Sequence, residues 1–454
     1  MLRTLPLLAL LPLLLLSAVA NAQQSSPLDL RYVFPADTAS LFTDLRRRGE
    51  LAAESFKPYL RPGAEVMYER RSDQLIEAVR DSQYTFDPAA HDYFNQLLRG
   101  IISANGLTVD PLILLSRSPA VNASSYGDGI FVIDAGLIRK IHYREEIAFV
   151  LCHELAHDQL NHTAKRITAF AAQYDPDESK RKKRREYRRR YRREGRVGML
   201  NSWQEAIYAD KRRTRAFELS ADSLGAIYLA TAGYGPDAIH YSLERLDAED
   251  EPELVRPLSA ALQNDRTPFQ TAWVRERKAT MFGGSFGGGS AADKDSEEEG
   301  FWSRDSLSTH PKLADRIANA PEPTGTRDGY TKHALDGWAD ETLLRMYANG
   351  GYPAHALCLA LERERSLLND LAVLEALRVA HVAIRERRLG YRVPPPKHFD
   401  EPGRQEVLRF FHRISAADLA ALGKAYAAEI KKRYPGEAAC TDGSVPAFTY
   451  FNKL

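Results

Sequence analysis

The chain has 454 residues, 44% of them hydrophobic and 27% charged, with 62 Lys and Arg against 61 Asp and Glu for a formal net charge of +1. That is the composition of a globular protein, and it excludes a multi-span membrane protein, which needs several long uncharged runs. The length favours two domains.

Residues 1–22 carry Arg3, an apolar run from Leu5 to Ala20 interrupted by Pro6 and Pro12, and then Ala20-Asn21-Ala22 before Gln23. A short apolar run ending in A-x-A is a secretory signal, and it is shorter than the about 20 residues a span requires. The expectation is an exported chain, periplasmic or secreted, beginning at Gln23. In such a chain the three Cys allow one pair. Cys152 sits in a helical pattern as a small apolar residue, which leaves Cys358 and Cys440 as disulfide candidates.

Residues 23–84 form an N-terminal extension with helical patterns near 39–51 and 73–82, separated by Pro58 and Pro62. Three roles are open to it: a packing layer, a wall of the substrate groove, or an inhibitory pro-segment. A domain at 85–325 follows. It opens with a helix over 88–105, where Tyr93, Leu97, Leu98 and Ile101 recur at helical spacing, and continues with short apolar runs at 112–115 and 130–133 that suit paired strands.

The stretch 147–162 reads IAFVLCHELAHDQLNH and predicts an amphipathic helix with Ile147, Val150, Leu151 and Leu155 inward. Positions four apart stack on one helical face, so His153 and His157 converge on a single ion while Glu154 stands beside it. Two neutral imidazoles and a third protein ligand suit zinc, one ion per chain. Zinc leaves one position for water and lowers its pKa, and Glu154 is placed to accept the proton as that water attacks a carbonyl. The longer pattern HExxHxxGxxH is excluded, because Leu160 and Thr163 occupy the required Gly and His positions.

Residues 178–198 interrupt the domain with a basic insert whose core, 180–196, reads KRKKRREYRRRYRREGR. Such a run is either a solvated helix or loop or a contact for an anionic membrane surface, to which each cation contributes about 1 kcal/mol. Export argues against nucleic acid as a partner. Beyond the insert, Glu218-Leu-Ser-Ala-Asp222 places two carboxylates four apart on one helical face. Glu218 is the candidate third ligand, and Asp222 is the candidate acceptor for the second N–H of a ligand His. A Gly-rich and acidic loop at 282–300 precedes Thr309-His310-Pro311. From 330 to 454 the pattern is helical, at 341–348, 353–363, 371–387, 405–413 and 416–432, with small residues alternating with apolar ones as in tetratricopeptide-like helix pairs.

Asn122-Ala123, the strand 129–134, Gly136-Leu137, Glu145-Glu146 ahead of HELAH, His162, the 218–222 run, Gly233-Tyr-Gly-Pro236, Thr309-His310-Pro311 and Arg316 together resemble the HtpX-like metallopeptidases, relatives of the CAAX prenyl endopeptidase. The resemblance covers residues 85–320. It implies a minimal gluzincin domain, mainly α with a small β-sheet (α+β), followed here by a helical accessory domain. It implies His153, His157 and Glu218 as zinc ligands, Glu154 as base, His310 as a helper at the scissile carbonyl, and Asp222 and Arg316 as residues supporting the ligands. It further implies edge-strand binding of an extended peptide. The reading that follows is a zinc endopeptidase for unfolded or misassembled envelope proteins. Its rival is a chaperone or assembly factor with a silent or regulatory metal site.

Overall fold

A computed structural model describes residues 35–174, 211–248, 254–275, 313–325, 327–335, 337–349, 352–386, 402–441 and 445–454. The signal segment, the basic stretch 180–196, the loop 282–300 and His310 lie outside the described residues. The chain is mainly α with one small sheet, as the sequence implied. Among the described residues no helix is long and apolar enough to cross a membrane.

Two helices open the described chain, α1 (Thr38–Glu54) and α2 (Arg61–Arg80). The Asp37 carboxylate caps α1 by accepting the Ser40 N–H at 2.9 Å, and Pro62 stands in the first turn of α2, where its missing N–H costs nothing. Strand β1 (Tyr84–Thr85) leads to α3 (Pro88–Ala104), then β2 (Leu112–Ser116), β3 (Ala123–Ser125) and β4 (Ile130–Asp134). The sheet order is β1-β2-β4-β3: β2 and β4 run parallel, and the outer strands are antiparallel to them.

Both inner strands are apolar almost throughout, and the structure shows why. Ile113, Leu115, Phe131 and Ile133 face the core that contains α3, whereas Leu114, Ile130 and Val132 face Leu45, Leu75, Ile76 and Val79 of α1 and α2. With side chains alternating across a strand, a sheet covered on both faces reads as a continuous apolar run. The N-terminal helices are therefore the layer that closes the second face of the sheet. They are locked there by Arg71 and Asp128, a fully buried ion pair at 2.5 Å, with the guanidinium 5.2 Å from the Tyr68 ring centroid.

On the first face, after α4 (Ala135–Lys140), lies α5 (Arg144–Gln159), the helix that carries His153 and His157. The amphipathic expectation for it needs correction. Every residue from Glu146 to Ala156 is buried, because α5 is enclosed by the sheet and α3 on one side and by α7 (Lys211–Thr231) and α8 (Asp237–Asp247) on the other. The helix also ends earlier than the 147–162 pattern suggests. Asn161 adopts φ +53°, a left-handed conformation Asn tolerates, and α6 (His162–Tyr174) starts afresh.

A second large core gathers the short helix α9 (Leu258–Leu262), Trp273, and the helices α11 (Trp338–Asn349), α12 (Pro353–Leu361), α13 (Leu367–Arg385), α14 (Pro402–Arg413), α15 (Ala416–Arg433) and α16 (Pro446–Lys453). Arg139 of α4 joins the two halves, donating to Asp340 at 2.6 Å and to Glu362 at 2.5 Å. Cys358 and Cys440 both lie buried in this second core and are not joined, so the expected disulfide is not formed.

Removing one partner of a buried ion pair strands the other charge. Arg71→Ala is expected to lower unfolding stability by about 3–5 kcal/mol, and the paired replacement Arg71→Met with Asp128→Leu by clearly less. Urea denaturation of the three proteins measures the difference.

Candidate metal centre

The site is assembled by two helices that touch along their backbones. Gly225 of α7 faces α5, where a Cβ would stand only 3.1 Å from the Cα and N of His153. Ala221, one turn earlier, is fully buried against the same core. Small residues at this crossing let α7 approach closely enough for Glu218, two turns from Gly225, to reach the imidazoles. The sequence reading passed over Gly225. Its signal was there to find: a Gly inside a helix is unfavourable, and this one shares a face with Glu218 and Asp222.

The Nε2 atoms of His153 and His157 lie 3.0 Å apart. The Glu218 carboxylate stands 3.4 Å from the first and 3.5 Å from the second. One donor atom from each of the three lies within 4.8 Å of the others. His153 and Glu218 are almost wholly buried. Glu154 is buried beside them on α5, and its charge reaches both His157 and Arg316.

Asp222 sits behind His153, accepting its Nδ1–H at 2.9 Å. Arg316 of α10 (Leu313–Asn319) grips that carboxylate with two hydrogen bonds, at 2.8 and 2.6 Å. The structure thus brings His153, His157, Glu218, Asp222 and Arg316 into one constellation, with Glu154 alongside. His310 lies outside the described residues.

The electrostatics fit a cation. Burial opposes a charged His153, but the Asp222 and Glu218 carboxylates outweigh it and push its pKa up to about 9. Burial would raise Asp222, yet His153 and Arg316 hold it down to about 2. Burial depresses His157, with Glu218 opposing. Among the described residues Glu154, Glu218 and Asp222 face one guanidinium, Arg316; once His153 gives up its extra proton, as a metal ligand must, two negative charges stand beside two neutral imidazoles. A dication balances them. Two ring nitrogens and a carboxylate oxygen are also the donor types a borderline-soft ion such as zinc takes.

Residue 162 matters as well. Its Nδ1 lies 2.9 Å from Nδ1 of His157, although five positions along one continuous helix would turn it about 140° away. The break at Asn161 brings it back.

At the other end of α5, Glu146 is buried beside Arg327, whose Nε is 3.2 Å away, and burial raises its pKa to about 7. Because the folded-state pKa lies above that of the unfolded chain, the unfolded state loses this proton first as pH rises. Its contribution to stability is present below about pH 4.5 and is lost by about pH 7. Glu146→Gln removes the titration, so the variant's stability relative to the native chain is expected to rise by up to about 3 kcal/mol over that range. Urea unfolding at pH 4.5 and pH 8 measures the shift.

Residues 88–324 match the family described as Peptidase family M48. The chain is also 25% identical over 180 residues to a curated relative from Vibrio cholerae serotype O1, the "Putative beta-barrel assembly-enhancing protease". That match takes in 39% of this chain and spans 37% of the relative's length.

Proposed function

The chain belongs to peptidase family M48, and from that premise we propose that it is a metalloprotease, a zinc-dependent endopeptidase of the HtpX-like type acting on unfolded or misassembled proteins of the cell envelope. One observation carries the proposal: the convergence of His153 Nε2, His157 Nε2 and the Glu218 carboxylate in a buried, negatively charged site. The name of the Vibrio cholerae relative, a protease that enhances β-barrel assembly, supports the envelope as the setting.

His153, His157 and Glu218 would hold the zinc, one ion per chain. Bound there, zinc supplies Lewis acidity that polarises the scissile carbonyl and acidifies the attacking water. Glu154 takes the proton of that water and hands it to the leaving amine. Asp222 keeps His153 in the tautomer whose Nε2 faces the metal, and Arg316 keeps Asp222 ionised and in place. His310 is proposed as the donor that stabilises the oxyanion.

Strand β3 offers a place for the substrate backbone. Asn122 and Tyr126 direct their main-chain bonds toward β4, through Asp134 N–H to Asn122 C=O and Tyr126 N–H to Ile130 C=O. By alternation, Ala123 and Ser125 turn theirs to the open edge, where an extended peptide adds as a strand. Main-chain pairing demands little of the side chains, which suits a protease for unfolded chains.

Wild-type protein is expected to contain one zinc and to digest casein until a chelator is added. Glu218→Ala loses the metal. Glu154→Gln keeps metal and fold but loses about 100-fold or more in activity. Metal analysis beside casein digestion separates the cases, and metal retained in Glu218→Ala would send the third ligand elsewhere.

We further propose export through cleavage after Ala22 and peripheral attachment to an anionic membrane through residues 180–196, where positive charge is concentrated in a chain whose remaining residues are net negative. The protein isolated from cells is expected to begin at Gln23 and to leave the envelope fraction on a high-salt wash, because salt shortens the Debye length. N-terminal sequencing of the washed fraction reads both. An intact Met1 in salt-resistant membranes would reverse the reading.

A further inference from the structure

The two ligand histidines are supported in different ways. Behind His153 stands a carboxylate, the usual partner for the outer nitrogen of a metal-bound imidazole. Behind His157 stands another imidazole, that of His162, with the two Nδ1 atoms 2.9 Å apart. A hydrogen bond between two nitrogens needs a hydrogen on one and a lone pair on the other.

The geometry around His162 points to one assignment. Its Nε2 lies 3.3 Å from Ser220 Oγ, and Ser220 donates its own hydroxyl hydrogen to the Phe217 carbonyl at 2.9 Å. The serine oxygen therefore meets His162 as an acceptor, and His162 carries its hydrogen on Nε2. Its Nδ1 is then a bare lone pair, and His157 must supply the hydrogen from its own Nδ1. That leaves His157 Nε2 as a lone pair directed at His153 Nε2 and Glu218, which is where a metal would be held. The opposite assignment would place a hydrogen on His157 Nε2, between the donor atoms. The ring of His162 is 2% exposed and stacks on Phe217 at 4.2 Å and 14°, so this arrangement is held from its face as well as its edge.

We propose that His162 is a positioning residue that sets the tautomer of His157 through a relay running from His157 to His162, Ser220 and the Phe217 carbonyl. The relay ties the metal face of α5 to the same helix, α7, that supplies Glu218 and Asp222. It rests on the reading of His153, His157 and Glu218 as metal ligands.

Two substitutions separate this role from packing. His162→Phe keeps a ring for the stack on Phe217 but removes the acceptor. His162→Asn loses the ring but keeps an oxygen where Nδ1 stood. Zinc affinity is read by competition with a chromogenic chelator, which does not depend on activity, and thermal unfolding of each protein checks its fold. His162→Phe is expected to weaken zinc binding about 10- to 100-fold, the usual cost of losing an outer partner, while His162→Asn stays close to the native chain. Equal affinities in the two variants, whether both high or both low, would overturn the proposal. Long-range proton–nitrogen correlation spectra of zinc-loaded, ¹⁵N-histidine-labelled wild type give a measurement independent of any variant's folding. Hydrogen on Nδ1 of His157 and on Nε2 of His162 is expected, and hydrogen on Nδ1 of His162 would overturn the relay. A wild-type chain that binds no zinc would instead remove the metal reading itself.

Discussion

The close backbone contact between α5 and α7 at Gly225 is the constraint on which the site depends. Two imidazoles four residues apart on one helix are common enough and by themselves hold an ion weakly. A third ligand must come from elsewhere in the chain, and its helix must pass within reach of a carboxylate side chain. Gly225 and Ala221 permit that approach. Glu218 and Asp222 exploit it from one face, so a single helix supplies the carboxylate opposite both imidazoles and the carboxylate that orients one of them.

Burying so many carboxylates is costly unless each has a partner. Asp222 has Arg316 and His153, and Glu218 lies against both imidazoles. What remains is an excess of carboxylates that raises the proton affinity of His153, an arrangement that favours a cation over an empty core. The enclosure of α5 makes this effective. Buried from Glu146 to Ala156, the helix holds these side chains in a medium of low polarity where each charge acts strongly on its neighbours.

The flanking layers serve the same helix. The N-terminal pair α1 and α2 covers the far face of the sheet and clasps the turn between β3 and β4 through Arg71 and Asp128. From the other side, Asp158 at the end of α5 accepts the Gly129 N–H of that turn at 3.1 Å. Edge strand β3 and helix α5 are thereby fixed relative to one another. The second core reaches this assembly through Arg139, Asp340 and Glu362, while Leu335 and Ala339 pack into the core that holds α5.

Residues whose meaning depends on neighbours along one helix or strand were legible from the sequence. His153, Glu154 and His157 share a helical turn, Glu218 and Asp222 share another, and the apolar runs at 112–115 and 130–133 announced the two central strands. Periodicity is a local property, and it carries this much. It says nothing about which elements meet. That α5 is enclosed rather than one-sided and that Gly225 marks the crossing of two helices follow from packing between segments far apart in the chain. His162 shows the boundary most clearly. Its position near HELAH was visible, but a continuous helix would carry it off the metal face. Only the left-handed turn at Asn161, taken because α5 stops and α6 begins there, folds its imidazole back onto His157.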